Sequence, residues 1–372
     1  MNIKPHFHAI AHRRTNINRQ WVAAFSVAAI SFMPAHVIAQ IASPVAASVS
    51  KLTLTDHPLV GKIWDSKQKN WATEAELKNA IFSHTFILLG ETHDNQQHHQ
   101  RHLQVLNWLT ANQQRPALLM EQFDIEHQAA MNAAIAAGKN ADEIADVGKL
   151  NRRGWQWPQY QPLVNLALAN QLPIIAANLS RAAARGVFTK GFSAIPAYAL
   201  PANLSPQLFD STWNNARQEA VVETMVASHC GQLPKERAPG MVNAQRARDA
   251  VMAEAILKQQ KIGAVLIAGR GHVRRDIGVP LYIKQINARA NLLSIGMVEV
   301  ISDKNSPEAY AELTAADNAT QPFDYVWFSA KQERPDPCEA MTIGTFAAPV
   351  KPSEHSVPPI SSPSATSPAA HQ

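Results

Sequence analysis

FILLGETHD, running from Phe86 to Asp94, is the stretch whose reading decides the fold. Four consecutive apolar residues, Phe86 to Leu89, pass through Gly90 into Glu91, Thr92, His93 and Asp94. That order reads as a short strand buried on both faces and ending in a polar turn. The pattern recurs: Ala117 to Met120 runs into Glu121-Gln122, Pro173 to Ala176 into Ala177-Asn178, and Ala264 to Ala268 into Gly269-Arg270-Gly271-His272. Leu293 to Val300 and Tyr325 to Phe328 are two further runs of strand length. Helical patterns lie between them, with Leu103, Leu106 and Leu109 on one side of Gln97 to Thr110, and Val242, Val251, Ala255 and Ile256 along Met241 to Gln259. Alternation of buried strands and amphipathic helices predicts an α/β fold, a mostly parallel sheet flanked by helices, over residues 50–346. From Ala182 to about Gly240 no strand pattern appears, while Ser211 to His229 reads as helix. A smaller helical subdomain, 182–240, is therefore expected as an insertion.

The flanks differ from this core. The chain has 372 residues and a formal charge of +5, but Lys4, Arg13, Arg14 and Arg19 supply four positives before residue 40, where no acid occurs. Removing these four leaves 30 Lys and Arg against 29 Asp and Glu, too even a balance for a nucleic-acid footprint. The basic start, the apolar stretch Trp21 to Met33, Pro34 and Val37-Ile38-Ala39 read as a signal peptide, 1–39, cleaved after Ala39. No cysteine stands near that site to take a lipid, so the expected location is periplasmic or secreted. Export lets Cys230 and Cys338 pair, although spacing alone does not show that they meet. Residues 347–372 are rich in Pro, Ser and Ala and are expected to form a disordered tail.

Parallel strands end on a common edge, where open α/β sheets place their ligands. Glu91, His93, Glu121 and His272 would then meet there as a mixed carboxylate and imidazole set. Such a set suits catalysis in two ways. Glu91, His93 and His272 could hold a divalent metal with a position left for water, or the same groups could work as a metal-free acid and base pair. Singly, a glutamate after a strand reads as the cap of the next helix. Arg270, beside two glycines, offers an anion site, or an ordinary turn with a solvated arginine. His98, His99 and His102 form a second cluster, in which His98 and His102 share a helix face; they read either as metal or haem ligands or as a solvated surface. Trp155-Gln156-Trp157-Pro158-Gln159-Tyr160 is an aromatic knot, suited to core packing or to stacking on a flat ligand, and a tyrosinate such as Tyr160 can ligate ferric haem. On the long helix, Gln245 and Asp249 lie one turn apart and could face the crevice or water.

Taken together, Leu89-Gly90-Glu91-Thr92-His93-Asp94, Met120-Glu121-Gln122, Ala177-Asn178, His229-Cys230-Gly231-Gln232-Leu233-Pro234, Ala244-Gln245-x-x-Arg248-Asp249 and Gly269-x-Gly271-His272 resemble the ChaN-like haem-binding uptake family over about residues 55 to 300. The resemblance implies an α/β domain with a smaller helical one and a role in haem and iron uptake. It also implies kinship with Tiki-type metalloproteases and erythromycin esterases, whose sites use Glu and His at strand ends, where Glu91, His93, Glu121 and His272 fall. A tyrosine ligand for haem belongs to the family picture, and Tyr160 is the candidate from its aromatic surroundings. The expected reading is an exported haem-binding protein, with haem held near Tyr160 or near His98 and His102 and with Arg270 on a propionate. A homodimer and envelope haem-uptake components are its expected partners. The alternative is an esterase or peptidase, metal-dependent or relying on the Glu and His cluster alone.

Overall fold

The computed structural model describes residues 51–199, 213–316 and 320–336, together with 209, 211 and 338. The expected signal peptide and tail lie outside the described residues. In chain order the strands are β1 (Leu52–Thr53), β2 (Ile63–Asp65), β3 (Asn70–Ala72), β4 (Phe86–Glu91), β5 (Ala117–Asp124), β6 (Ile174–Asn178), β7 (Ala264–Gly269), β8 (Leu292–Glu299), β9 (Tyr325–Ser329) and β10 (Lys331–Gln332). The main sheet has the order β3-β2-β9-β8-β4-β7-β5-β6. Its strands from β9 to β6 run parallel, and β2 and β3 add an antiparallel edge. β1 and β10 pair separately.

The helices are α1 (Glu74–Ser83), α2 (Gln96–Ala111), α3 (Gln128–Ala136), α4 (Ala141–Val147), α5 (Gln161–Ala169), α6 (Arg181–Lys190), α7 (Asn215–Ser228), α8 (Ala238–Leu257) and α9 (Val279–Ile286). Both faces of the sheet are covered, so successive strand residues belong to two different cores. Phe86, Leu88, Leu119 and Leu266 pack with Val187 of α6, Val251 of α8 and Ile283 of α9. Ile87, Leu89, Leu118 and Ile267 pack with Ile81 of α1, Leu106 of α2 and Val164 of α5. Unbroken apolar runs in the sequence follow directly from this arrangement.

The strands run further than their apolar residues. β4 continues to Glu91, which pairs with Gly269, and β5 continues to Asp124 with a register shift after Met120. Glu91 and Glu121 are thus strand residues, both buried, rather than helix caps. The cap of α2 is Asn95, whose side chain accepts from the Gln97 and His98 amides. Gly90 is what lets the next strand end come close: a Cβ there would run into Val273 and lie 2.9 Å from the Arg270 Cα.

Between β6 and β7 the described residues form helices and short 3₁₀ turns. Arg246 of α8 helps hold this interval, since its guanidinium lies 4.8 Å from the Phe192 ring and 4.4 Å from the Trp213 ring and also donates to the Phe209 carbonyl. Cys230 and Cys338 are joined as a disulfide, with Cα atoms 5.6 Å apart.

Candidate functional site

β4, β7 and β5 lie side by side, and the chain fills the β7 position only after β5 and β6 have been laid down. Their C-terminal ends border a crevice of about 820 Å³. Glu91, His93, Glu121, Gly269, Arg270 and His272 line its floor, and Ala220 and Thr224 of α7 form part of its wall. A second cavity, of about 700 Å³, lies by Glu126, Tyr198 and Val251 and includes none of the floor residues.

Glu91 is the hub of one half of the site. Its side chain has no exposed surface, and Oε1 accepts from His93 Nδ1 at 2.9 Å, from Gln122 Nε2 at 3.2 Å and from the Tyr160 hydroxyl. Oε2 faces His99 Nε2 at 3.2 Å and His102 Nδ1 at 3.6 Å. Burial alone would raise this carboxyl, yet the His93 hydrogen bond and the His99 and His102 imidazoles beside it hold it well below its ordinary value. Glu91 is therefore an ionised acceptor inside the protein, with its charge shared among surrounding donors.

His93 opens this half to solvent, with 43% of its side chain exposed. Because Nδ1 is committed to Glu91, neutral His93 carries its lone pair on Nε2. Burial lowers its basicity, but the Glu91 hydrogen bond and the charges of Glu121 and Glu91 raise its pKa overall. The ring lies over Gly269, where a Cβ would be 2.9 Å from Nε2, and the Trp155 indole meets it edge-on at 4.9 Å. Gly269 thus leaves space for the imidazole.

The other half is a chain of buried charges. Asp249 of α8 lies 2.6 Å from His272 Nδ1, and Glu121 lies 3.4 Å from His272 Nε2. The second Glu121 oxygen accepts the Gly269 amide at 2.7 Å. Burial works against the imidazolium, but the charges of Glu121 and Asp249 lift His272 to about 10. Burial would raise Glu121, which His272 instead draws down to about 2, whereas Asp249 is pushed up to about 6 mainly by its own burial. At neutral pH an imidazolium is held between two carboxylates, and proton exchange within the trio is what the arrangement supports.

The four strand-end residues are brought to one edge, but their geometry differs from a three-ligand metal cage. Among the described residues, only Asp124, Glu126 and His127 bring three ligand atoms within 4.8 Å of one another. Glu91, His93 and His272 do not, and both His272 nitrogens face carboxylates.

The expected haem ligands have other partners. Tyr160 is 1% exposed, and its hydroxyl is held on Glu91; burial and the Glu91 charge push its pKa far above the ordinary value, so it is not a ready tyrosinate. His98 is buried, accepts the Thr92 amide on Nδ1 at 2.9 Å and meets Ser329 through Nε2 at 2.7 Å. His102 is buried as well, and desolvation lowers it to about 4.

The solvated-face reading of α2 fails for a physical reason. Its polar side is turned inward against β9, where Arg101 donates to the Trp327 and Phe328 carbonyls at 3.0 and 2.6 Å. Arg270 does line the crevice, but it is bonded to Thr92, the Met297 carbonyl and Glu312. Asp94 serves as a latch, accepting two bonds from Arg334 at 2.7 and 2.8 Å.

The sequence alone does not single out Gln122 or the pairing of Asp249 with His272. The spacing from Gln245 to Asp249 gave a hint, because it puts both residues on one side of α8.

The family model described as haem-binding uptake, Tiki superfamily, ChaN matches residues 77–283, more than half of the chain. No curated protein matches the sequence. Among solved structures, the chain is similar to ChaN of Campylobacter jejuni, described as binding haem cofacially, with 19% identity and a TM-score of 0.56 over 71% of this chain and 95% of that one. An erythromycin esterase gives 9% identity and a TM-score of 0.36 over 70% and 94% of the two chains. A Bacillus cereus protein gives 13% identity and a TM-score of 0.32 over 60% and 68%.

Proposed function

The chain belongs to the ChaN haem-binding uptake family of the Tiki superfamily, and from that premise we propose that it is an exported haem-binding protein serving haem and iron uptake. Family membership carries the reading, since the matched span 77–283 contains the whole crevice floor from Glu91 to His272. Haem is cargo here, and the seat we assign to it is the 820 Å³ crevice, within the size range of small-molecule sites. His93 is the group that suits the iron: its Nε2 is the lone-pair side of an imidazole whose other nitrogen is anchored to a buried carboxylate. That pairing fixes the tautomer and raises ligand basicity.

Export is supported by the basic and apolar leader up to Ala39, and the Cys230–Cys338 bridge is compatible with an oxidising compartment. A homodimer and envelope haem-uptake components complete the proposal.

Titration of haemin into the mature chain, from Gln40 onward, is expected to give a saturable and shifted Soret band. His93→Ala is expected to move that band or abolish it. A featureless, nonsaturating response of the wild type would overturn the haem assignment.

The Asp249–His272–Glu121 chain favours a second reading, a hydrolase. In it, His93 Nε2 takes a proton from water as the oxygen adds to the substrate carbonyl, Glu91 stabilises the resulting imidazolium, and His93 returns the proton to the leaving alcohol or amine as the scissile bond breaks, while the Asp249–His272–Glu121 chain holds the opposite wall. A metal is not assigned a step, because His272 gives both nitrogens to carboxylates. Turnover of an ester or peptide that disappears in His93→Ala is the expected result. Absence of turnover across ester and peptide panels, with and without Mn, Zn or Co, counts against it.

A further inference from the structure

We propose that the second cavity, beside β6, binds an organic primary ammonium carried on an apolar body, with Glu254 of α8 as its seat. Val251, Glu254, Ala255 and Lys258 line this cavity further along the helix whose Gln245 and Arg248 line the strand-end crevice, and the two spaces share no lining residue. Ile125, Ala129, Ile175, Val251 and Ala255 make its walls largely apolar. A volume of about 700 Å³ is that of a small-molecule site.

β6 is the last strand of the sheet, so an added strand is the first occupant to weigh. That edge is closed at the cavity: the Gln128 side chain donates to the Ile174 carbonyl at 3.0 Å and accepts the Ala176 amide at 2.5 Å. A compact guest fits the space better than a peptide strand.

The charged side chains that line the cavity are Glu126, Glu254 and Lys258. Glu126 accepts the Tyr198 hydroxyl at 3.0 Å and has Asp124 and His127 beside it, while Arg248 acts by its charge on Asp124. Glu254 is the carboxylate left short of donors. Its side chain is 10% exposed, Oε1 faces the Lys258 ammonium only at 3.8 Å, and Oε2 is buried with no hydrogen-bond partner. The Lys258 side chain is 67% exposed, so water screens the pair.

A buried carboxylate oxygen without a donor is costly, and an ammonium arriving from the cavity supplies the missing N–H. The carboxylate can present Oε2 by turning about its last side-chain bond, whose torsional well is broad. Two carboxylates against one lysine on the walls select a cation over an anion, and Tyr198 adds an aromatic wall that suits the same charge.

The test titrates n-hexylamine, n-hexanol and hexanoate at neutral pH into wild type, Glu254→Gln and Lys258→Met proteins, with the amide NMR signals of Ala129 and Ala255 as the readout. In wild type, hexylamine is expected to shift these signals saturably and to bind about tenfold more tightly than hexanol or better, as for a hydrogen bond to a charged group, with hexanoate weakest. In Glu254→Gln the amine and the alcohol should bind within about twofold of each other, since that hydrogen bond no longer involves a charged acceptor. Lys258→Met keeps the side-chain stem but removes the competing ammonium, so hexylamine should bind severalfold more tightly; at an exposed position this variant decides alone if Glu254→Gln does not fold. No saturable shift with hexylamine in wild type would overturn the site. So would hexanoate binding as tightly as the amine, an amine preference that survives in Glu254→Gln, or hexylamine affinity that stays level or falls in Lys258→Met.

Discussion

Glu91→Ala is expected to lose about 3–5 kcal/mol of stability, the cost of removing one partner from a buried charged network. In a thermal melt the fall should be on the order of 10 °C. The reason is that three donors, His93, Gln122 and Tyr160, converge on Oε1, while the His99 and His102 rings lie beside Oε2. Glu91→Gln keeps the volume but replaces one acceptor oxygen by an N–H group that faces other donors. It should therefore be destabilised as well, although no cavity is made. Tyr160→Phe removes a single donor, with an expected loss of about 1.5–3 kcal/mol for a bond to a charged group. If Tyr160→Phe left stability unchanged but erased the haem spectrum, Tyr160 would be an iron ligand after all and the role given to it on Glu91 would be wrong.

The second large effect is expected at His272. His272→Ala leaves Glu121 and Asp249 buried without the cation between them, again about 3–5 kcal/mol, and the deficit should depend on pH. The His272 pKa rises from 6.5 to about 10, so its stabilising contribution is fully present below pH 6.5 and is lost as pH climbs through about 10. Glu121 falls from 4.5 to about 2, so its contribution is present above pH 4.5 and lost as pH falls through about 2. Asp249 opposes both, since its rise from 3.8 to about 6 subtracts stability progressively across that interval. The difference between wild type and variant should thus be large from pH 4.5 to 6.5 and shrink towards pH 10. A difference that stays flat across that range in urea unfolding would show that His272 is not held as an imidazolium.

Both effects concern residues that the sequence brought forward, and the reason is topological. A parallel sheet aligns its strand ends, so Glu91, Glu121 and the Gly269-x-Gly271-His272 turn could be placed together from local pattern alone. Partners contributed from the sides were harder to see. Asp249 comes from a helix whose polar residues could equally have faced water. Tyr160 sits in an aromatic cluster whose packing role concealed its hydroxyl, which is directed at Glu91.

The histidine-rich α2 shows the opposite difficulty. Its composition resembles a solvated face, but its burial is imposed by β9, more than 200 residues away, where the Ser329 hydroxyl and the Trp327 and Phe328 carbonyls receive His98 and Arg101. The short edge strands β2 and β3 leave no mark in the sequence, because three residues with Trp71 exposed carry no periodicity to read.

The contact between Trp155 and His93 also gives the protein an optical gauge of its own. An indole loses emission beside a protonated imidazole, and loses it more completely beside an absorbing porphyrin. Trp155 meets the ring of His93, a crevice-lining side chain, edge-on at 4.9 Å. Trp155 is one of eight tryptophans, so its share of the emission, taken as the difference from a Trp155→Phe variant, would register first the protonation of His93 and then the arrival of whatever displaces solvent from that ring, without a label.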